Sequence, residues 1–307
     1  MAIKRDLSDL EREFAQGTSP DRANPVLPAL MQAWTANYTE SRDMDLPFAV
    51  PDAGPYRASY ASARCDRALF YKLNKTPKSE ELDITSLWNF WLGHDIGESM
   101  HAAALRSWPD AQAEVACDLR PLGIPGSASA DTVIPSLSLN LEYKSKGGYS
   151  FKRATTGNAE GPDYGAVVQA AMTNRALNLD RCAVVVFAKE NISVDNAKRF
   201  KVDGLERFTA IWEYTAAECD ELVRSEAARI ERVLHFVNSD IQPARELCEP
   251  GLPAGAVMTN PSRGMWVQQI NGQVQSTGTK WFCDYCDYRT TCIADGAGGT
   301  ESTGGLF

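Results

Sequence analysis

The stretch LNLEYKS, residues 139–145, constrains the fold more than any other, because apolar Leu139, Leu141 and Tyr143 alternate with Asn140, Glu142 and Lys144. A period of two marks a strand with one face buried. It sends Glu142 and Lys144 to the same face, about 7 Å apart along the strand. Just upstream, ADTVI lies between Gly126 with its small neighbours and Pro135, and reads as a partner strand carrying Asp131. Pairing through a hairpin connection brings Asp131 beside Glu142. Downstream, AVVQAAMTNRALNL reads as a helix with Gln169 near its start, and RCAVVVFAKE is a continuous apolar run suited to a fully buried strand. Strand, hairpin, helix and buried strand in this order predict an α/β fold with a mixed central sheet flanked by helices.

Two carboxylates and an ammonium at one spot have a chemical use. Phosphodiester hydrolysis requires charge neutralisation on the scissile phosphate and an activated water, and divalent metals held by carboxylate oxygens supply both. A lysine beside the metal stabilises the charge of the pentacovalent phosphate. Glu-x-Lys triplets also occur on plain surface hairpins, so the rest of the chain must decide.

The second strong signal is TKWFCDYCDYRTTCIADG, in which Cys283, Cys286 and Cys292 have C-x2-C-x5-C spacing. Zinc and iron–sulfur centres both commonly take four thiolates, so a distant cysteine is needed, and spacing does not choose between the metals. Cys65, at the polar-flanked start of the helical segment YASARCDRALFYKL, is preferred over Cys117, Cys182, Cys219 and Cys248. Cys182 belongs to the buried strand and reads as a small hydrophobe.

In ITSLWNFWLGHDIGESMHAAALRSW, His94, Glu98 and His101 recur at i, i+4 and i+7 and line one stripe of a long helix. They read either as a solvated polar face or as a source of a further metal ligand. Residues 147–165, GGYSFKRATTGNAEGPDYG, form a long Gly-rich connection with interleaved basic and aromatic side chains, which suits a nucleic-acid strand. Lys144, Lys146, Lys152 and Arg153 crowd this region, and Lys198, Arg199 and Lys201 form a second basic group. The overall charge of −9, from 31 Lys and Arg against 40 Asp and Glu, weakens a nucleic-acid reading without excluding it. Thr215 and Glu218 offer a capping box ahead of a helix whose apolar stripe runs through Val223, Ala227, Ile230, Leu234 and Val237. WVQQING and VQSTGT resemble a hairpin around Asn271-Gly272.

Cys65, the Asp131 and Glu142-x-Lys144 hairpin, Gln169 on the next helix and the terminal C-x2-C-x5-C together resemble the iron–sulfur, RecB-like branch of the PD-(D/E)XK nucleases. That branch includes the CRISPR-adaptation exonucleases, the AddB nuclease domain and phage-borne relatives. The resemblance implies a restriction-endonuclease-like core and a deoxyribonuclease using Mg²⁺ or Mn²⁺. By position it implies Asp131 and Glu142 as metal ligands, Lys144 as the catalytic lysine and Gln169 as the glutamine that supports the site. It also implies a [4Fe-4S] cluster on Cys65, Cys283, Cys286 and Cys292 that ties the two ends of the chain together. Zn²⁺ is the alternative occupant. The helix motif of the family, G-x-x-x-H often followed by Glu, departs here: Gly97 to His101 is followed by Ala102, whereas Gly93 to Gly97 is followed by Glu98. Either His101 or Glu98 is then the helix ligand, His101 being favoured. Thr173 stands where the family usually carries tyrosine, a change expected to bear on DNA contact more than on metal.

The expected organisation is an N-terminal helical and irregular extension over 1–60, a nuclease domain over 61–295 and a disordered tail over 296–307. The substrate is single-stranded DNA or DNA ends, with Lys146, Lys152 and Arg153 as DNA contacts. Phage recombination or CRISPR-adaptation proteins are the partners such a nuclease would have. A catalytically weak or inactive DNA-binding subunit that retains fold and cluster is the alternative, and a zinc-bound structural protein a second. No signal-peptide core or membrane-length apolar run is present in the sequence, which places the protein in the cytoplasm as an expectation.

Overall fold

A computed structural model describes residues 50–63, 65–80, 84–148, 150–151, 162–189, 208–243, 257–260, 265–270, 273–279 and 286–295. Strand β1 (Tyr56–Arg57) leads through a 3-10 turn at Ala58–Ser62 to helix α1 (Asp66–Leu73), and the long helix α2 (Ile84–Ser107) follows. Three strands come next: β2 (Gln112–Asp118), β3 (Gly126–Ile134) and β4 (Leu139–Lys146). Helix α3 (Tyr164–Ala176) crosses to β5 (Arg181–Ala188), then β6 (Thr209–Thr215) and helix α4 (Ala216–Asn238). A separate sheet of β7 (Val257–Asn260), β8 (Met265–Ile270) and β9 (Gln273–Thr279) precedes the short helix α5 (Arg289–Ala294).

The first six strands form one mixed sheet in the order β1-β3-β4-β5-β6, with β2 also pairing β3. β4 and β5 run parallel from Leu139↔Arg181 to Lys146↔Ala188, with α3 as the crossover. β5 is buried across Cys182–Val186, as its unbroken apolar run requires. The predicted α/β class, with a mixed sheet flanked by helices, is what the chain adopts. Within the expected N-terminal extension, Tyr56 is fully buried, and β1 pairs in parallel with β3. Most of the N-terminal extension, 1–49, and the tail from 296 onward lie outside the described residues.

Helices cover both faces of β4. Asn140 Nδ2 donates to Ala170 O (3.1 Å) and Thr173 Oγ1 (2.8 Å) of α3, whereas the Tyr143 ring lies 5.3 Å from the His101 ring of α2. Since 140 and 143 differ in parity, α3 and α2 occupy opposite faces. Two glycines allow close approaches, one of α2 to β4 and one of α3 to the 3-10 turn. A Cβ at Gly93 of α2 would stand 2.7 Å from Ser145 Oγ, and one at Gly165 of α3 would stand 2.7 Å from the Cα of Ser62. The main core lies on the α3 side, where Val168, Ala171 and Met172 meet Val184 and Val186 of β5 and Val223, Ile230 and Val233 of α4. Helix α4 begins with the anticipated reciprocal cap, Thr215 Oγ1 with the Glu218 N–H and Glu218 with the Thr215 N–H. No helix among the described residues is long and apolar enough to cross a membrane.

Candidate active site

The site forms where two neighbouring strands stop pairing. β3 and β4 share only Thr132↔Leu141, Val133↔Asn140 and Ile134↔Leu139. One step further, Asp131 and Glu142 stand at the point of divergence. The ladder bond that ends there is replaced by a side chain, because the Tyr143 N–H donates to Asp131 Oδ2 at 2.6 Å. Lys144 Nζ donates to Glu142 Oε1 and, at 3.3 Å, to Gln169 Oε1 on α3. Asp131, Glu142, Lys144 and Gln169, four residues singled out from sequence, are therefore brought together.

Glu142 is fully buried, and its Oε2 has no hydrogen-bond partner among the described residues. Burial, then the charge of Asp131, pushes its carboxyl up to about 8, with Lys144 pulling the other way. Burial also raises Asp131, opposed by Lys144 and by the Tyr143 N–H. The pocket thus gathers more carboxyl groups than one ammonium can neutralise if all ionise, and one carboxyl oxygen has no partner among the described residues.

Of the stripe on α2, only His101 reaches this spot. It is largely buried, and its charge is felt at Asp131. His94 and Glu98 pair with each other at 3.4 Å on the exposed side, each about two-thirds exposed (65% and 67%), so Glu98 is not brought to the carboxylates. A residue the sequence reading missed is Glu114, on β2. Its Oε2 accepts from Ser129 Oγ (2.9 Å), its Oε1 lies 3.8 Å from His101 Nε2, and its backbone is left-handed at φ 52°. Burial and the neighbouring Asp131 raise its carboxyl. The alternation of Ala111, Ala113, Val115 and Cys117 with polar or small residues was the signal that could have found β2.

Among the described residues, no three His, Cys, Asp or Glu side chains stand close enough, as they are oriented, to hold a metal ion. The reason is local: Asp131 Oδ2 faces the Tyr143 N–H and Glu142 Oε1 faces Lys144. The donor set nevertheless fits a hard divalent cation, being carboxyl oxygens with one imidazole and the orphaned Glu142 Oε2.

Two expected DNA contacts, Lys152 and Arg153, lie outside the described residues, as do Lys198, Arg199 and Lys201. Lys146 is largely buried and pairs with Asp163 at 2.9 Å, so it is a strut between β4 and the start of α3 rather than an open cation. Thr173 is fully buried and accepts from Asn140, so it joins helix to strand and offers nothing to DNA.

Cys65 is the N-cap of α1, and Cys283 lies outside the described residues. Cys286 and Cys292 flank the start of α5, Cys292 being buried. The segments bearing these cysteines are tied across more than 200 positions. Tyr71 OH donates to Asp295 Oδ2 (2.7 Å), Lys72 pairs with Asp287 (3.3 Å), and the Thr290 N–H donates to Glu80 Oε1 (2.9 Å). The rings of Tyr71 and Tyr288 stand 5.3 Å apart. Cys182 is not isolated in its strand, since its Sγ lies 3.5 Å from that of Cys219.

No family model matches the chain, and no curated protein sequence matches it. Among solved structures it is similar to the crystal structure of SSO0001, with 14% identity over 88% of this chain and 98% of that one, at a TM-score of 0.46.

Proposed function

We propose that this chain is a divalent-metal-dependent deoxyribonuclease, with the fold of the PD-(D/E)XK nucleases, acting on single-stranded DNA or DNA ends. The observation that carries the reading is the meeting of Asp131, Glu142, Lys144 and Gln169 at the fork of β3 and β4, with one fully buried carboxylate oxygen left unpartnered.

Asp131 and Glu142, with His101 from α2, would hold the Mg²⁺ or Mn²⁺. When bound, the ion supplies Lewis-acid stabilisation of the phosphate and activation of water. The chain's own residues do the rest. The Tyr143 N–H fixes one oxygen of Asp131. Gln169 orients the Lys144 ammonium, a third exposed, so that it faces both the carboxylates and the approaching phosphate. There it stabilises the negative charge that develops on the phosphoryl oxygens.

Cys65, Cys283, Cys286 and Cys292 would hold a [4Fe-4S] cluster as its four thiolates, with Zn²⁺ as the alternative. Support comes from the hydrogen bonds joining α1 and the loop after it to 287–295. Iron and acid-labile sulfide in brown, anaerobically purified protein bear this out, and a colourless zinc protein contradicts it.

The test of function is cleavage of single- and double-stranded DNA with Mg²⁺ or Mn²⁺, beside Glu142→Ala and Lys144→Ala. The proposal requires metal-dependent cleavage that Glu142→Ala abolishes and Lys144→Ala slows at least about 10²-fold. Undiminished cleavage in both rejects the site, and DNA binding without cleavage by the intact chain favours a non-cutting subunit.

A further inference from the structure

We infer that Glu114 is a ligand of the same divalent ion, supplied from β2 in place of the acidic residue that the helix motif would place at Glu98. The inference rests on the metal-dependent reading above and adds a carboxylate that the sequence motifs do not contain. In register, Ala113↔Thr132 and Val115↔Ala130 bracket Glu114 opposite Asp131, and Thr132↔Leu141 sets Asp131 one step from Glu142. The three acids therefore form a row across β2, β3 and β4 with Asp131 in the middle, its charge felt at both neighbours.

The local chemistry aims Glu114 at that row. Ser129 Oγ holds its Oε2 at 2.9 Å and leaves Oε1 toward His101 Nε2, 3.8 Å away. That separation is too long for a hydrogen bond. It matches the span between two donors that share one cation, each bonded at about 2.1 Å. The left-handed backbone, φ 52°, is unfavourable for glutamate and lifts residue 114 out of the β2–β3 pairing. Such strain is retained where a side chain must be re-aimed. An independent pointer to a ligand is Glu142 itself, fully buried at the end of the row with Oε2 unpartnered among the described residues. Glu98, by contrast, is turned to solvent against His94.

The probe is Mn²⁺ alone, titrated into the purified full chain and followed by calorimetry and by the electron paramagnetic resonance of free Mn²⁺. Glu114→Gln, which keeps size and the acceptor for Ser129, is expected to weaken Mn²⁺ binding at least about tenfold. Asp131→Asn does the same. Where glutamine lowers the melting temperature of the metal-free protein, Glu114→Asn, a residue at ease in left-handed backbone, replaces it. Affinity unchanged in both Glu114 variants while Asp131→Asn abolishes binding overturns the inference and leaves the nuclease reading standing. Mn²⁺ binding that depends on Glu114 in a chain that cuts no DNA keeps the inference and removes the nuclease. Absence of Mn²⁺ binding by the wild-type chain overturns both.

Discussion

Two places in this molecule bury carboxylates, and they treat them oppositely. Between α1 and α4, Glu226 (1% exposed) accepts from Tyr56 OH at 3.1 Å and Arg229 at 2.9 Å. Beside it Asp66 accepts from Arg229 Nε at 2.8 Å and from Arg232 at 3.1 and 2.8 Å. At the β3–β4 fork, Glu142 (0% exposed) has one lysine, a carboxylate neighbour and an oxygen without a partner among the described residues. Burial raises both glutamates, but the next largest influence is the opposing Arg229 at Glu226, with Asp66 a smaller addition, and the reinforcing Asp131 at Glu142, with Lys144 opposing. A saturated network is what a scaffold needs. An unsaturated one is tolerated where something else is to be bound.

The largest effect on stability should come from the saturated side. Arg229→Leu removes the arginine shared by two buried acids and should cost about 3–5 kcal/mol, read as a lower urea midpoint at unchanged m. A loss below about 1 kcal/mol would mean the network is as loosely held as the fork. Lys144→Ala should do the reverse: a fold retained, because Glu142 can take up a proton, and DNA cleavage slowed about 10²–10³-fold in a steady-state assay.

A pH titration sharpens the contrast. In the metal-free chain Glu142 keeps a proton up to about 8, which the unfolded chain releases in the ordinary carboxylate range. The folded state then binds more protons, so stability falls as pH rises through that window. Urea midpoints from pH 5 to 8 should decline in the wild type and decline less in Glu142→Gln, the gap widening by roughly 1 kcal/mol per pH unit. Parallel curves would mean Glu142 is already ionised and satisfied. The smallest effect belongs to Glu98→Gln, whose exposed pairing with His94 is worth less than about 0.5 kcal/mol by thermal melting.

The contrast also marks what a sequence can carry. Local periodicity displayed β4, the buried β5 and the capping box of α4, because each depends on neighbours a few positions apart. Asp131, Glu142 and Lys144 were legible since a hairpin places them together by register alone. Glu114 was not: β2 is built largely of small residues, and nothing in a glutamate announces φ 52°. The Asp66–Arg229 pair spans 163 positions and leaves no local pattern. Lys146 looked like an open cation because its partner, Asp163, lies 17 residues on, across the Gly-rich connection. Thr173 looked like a lost DNA contact until its partner Asn140 was seen across the helix–strand interface.

The most direct measurement is anomalous diffraction at the manganese edge from crystals of the full chain soaked in Mn²⁺. The account requires a peak between β3 and β4, about 2.2 Å from oxygens of Asp131 and Glu142, with the Lys144 ammonium displaced from Glu142. Manganese absent from the fork, with Lys144 still seated on Glu142 in the soaked crystal, would contradict it.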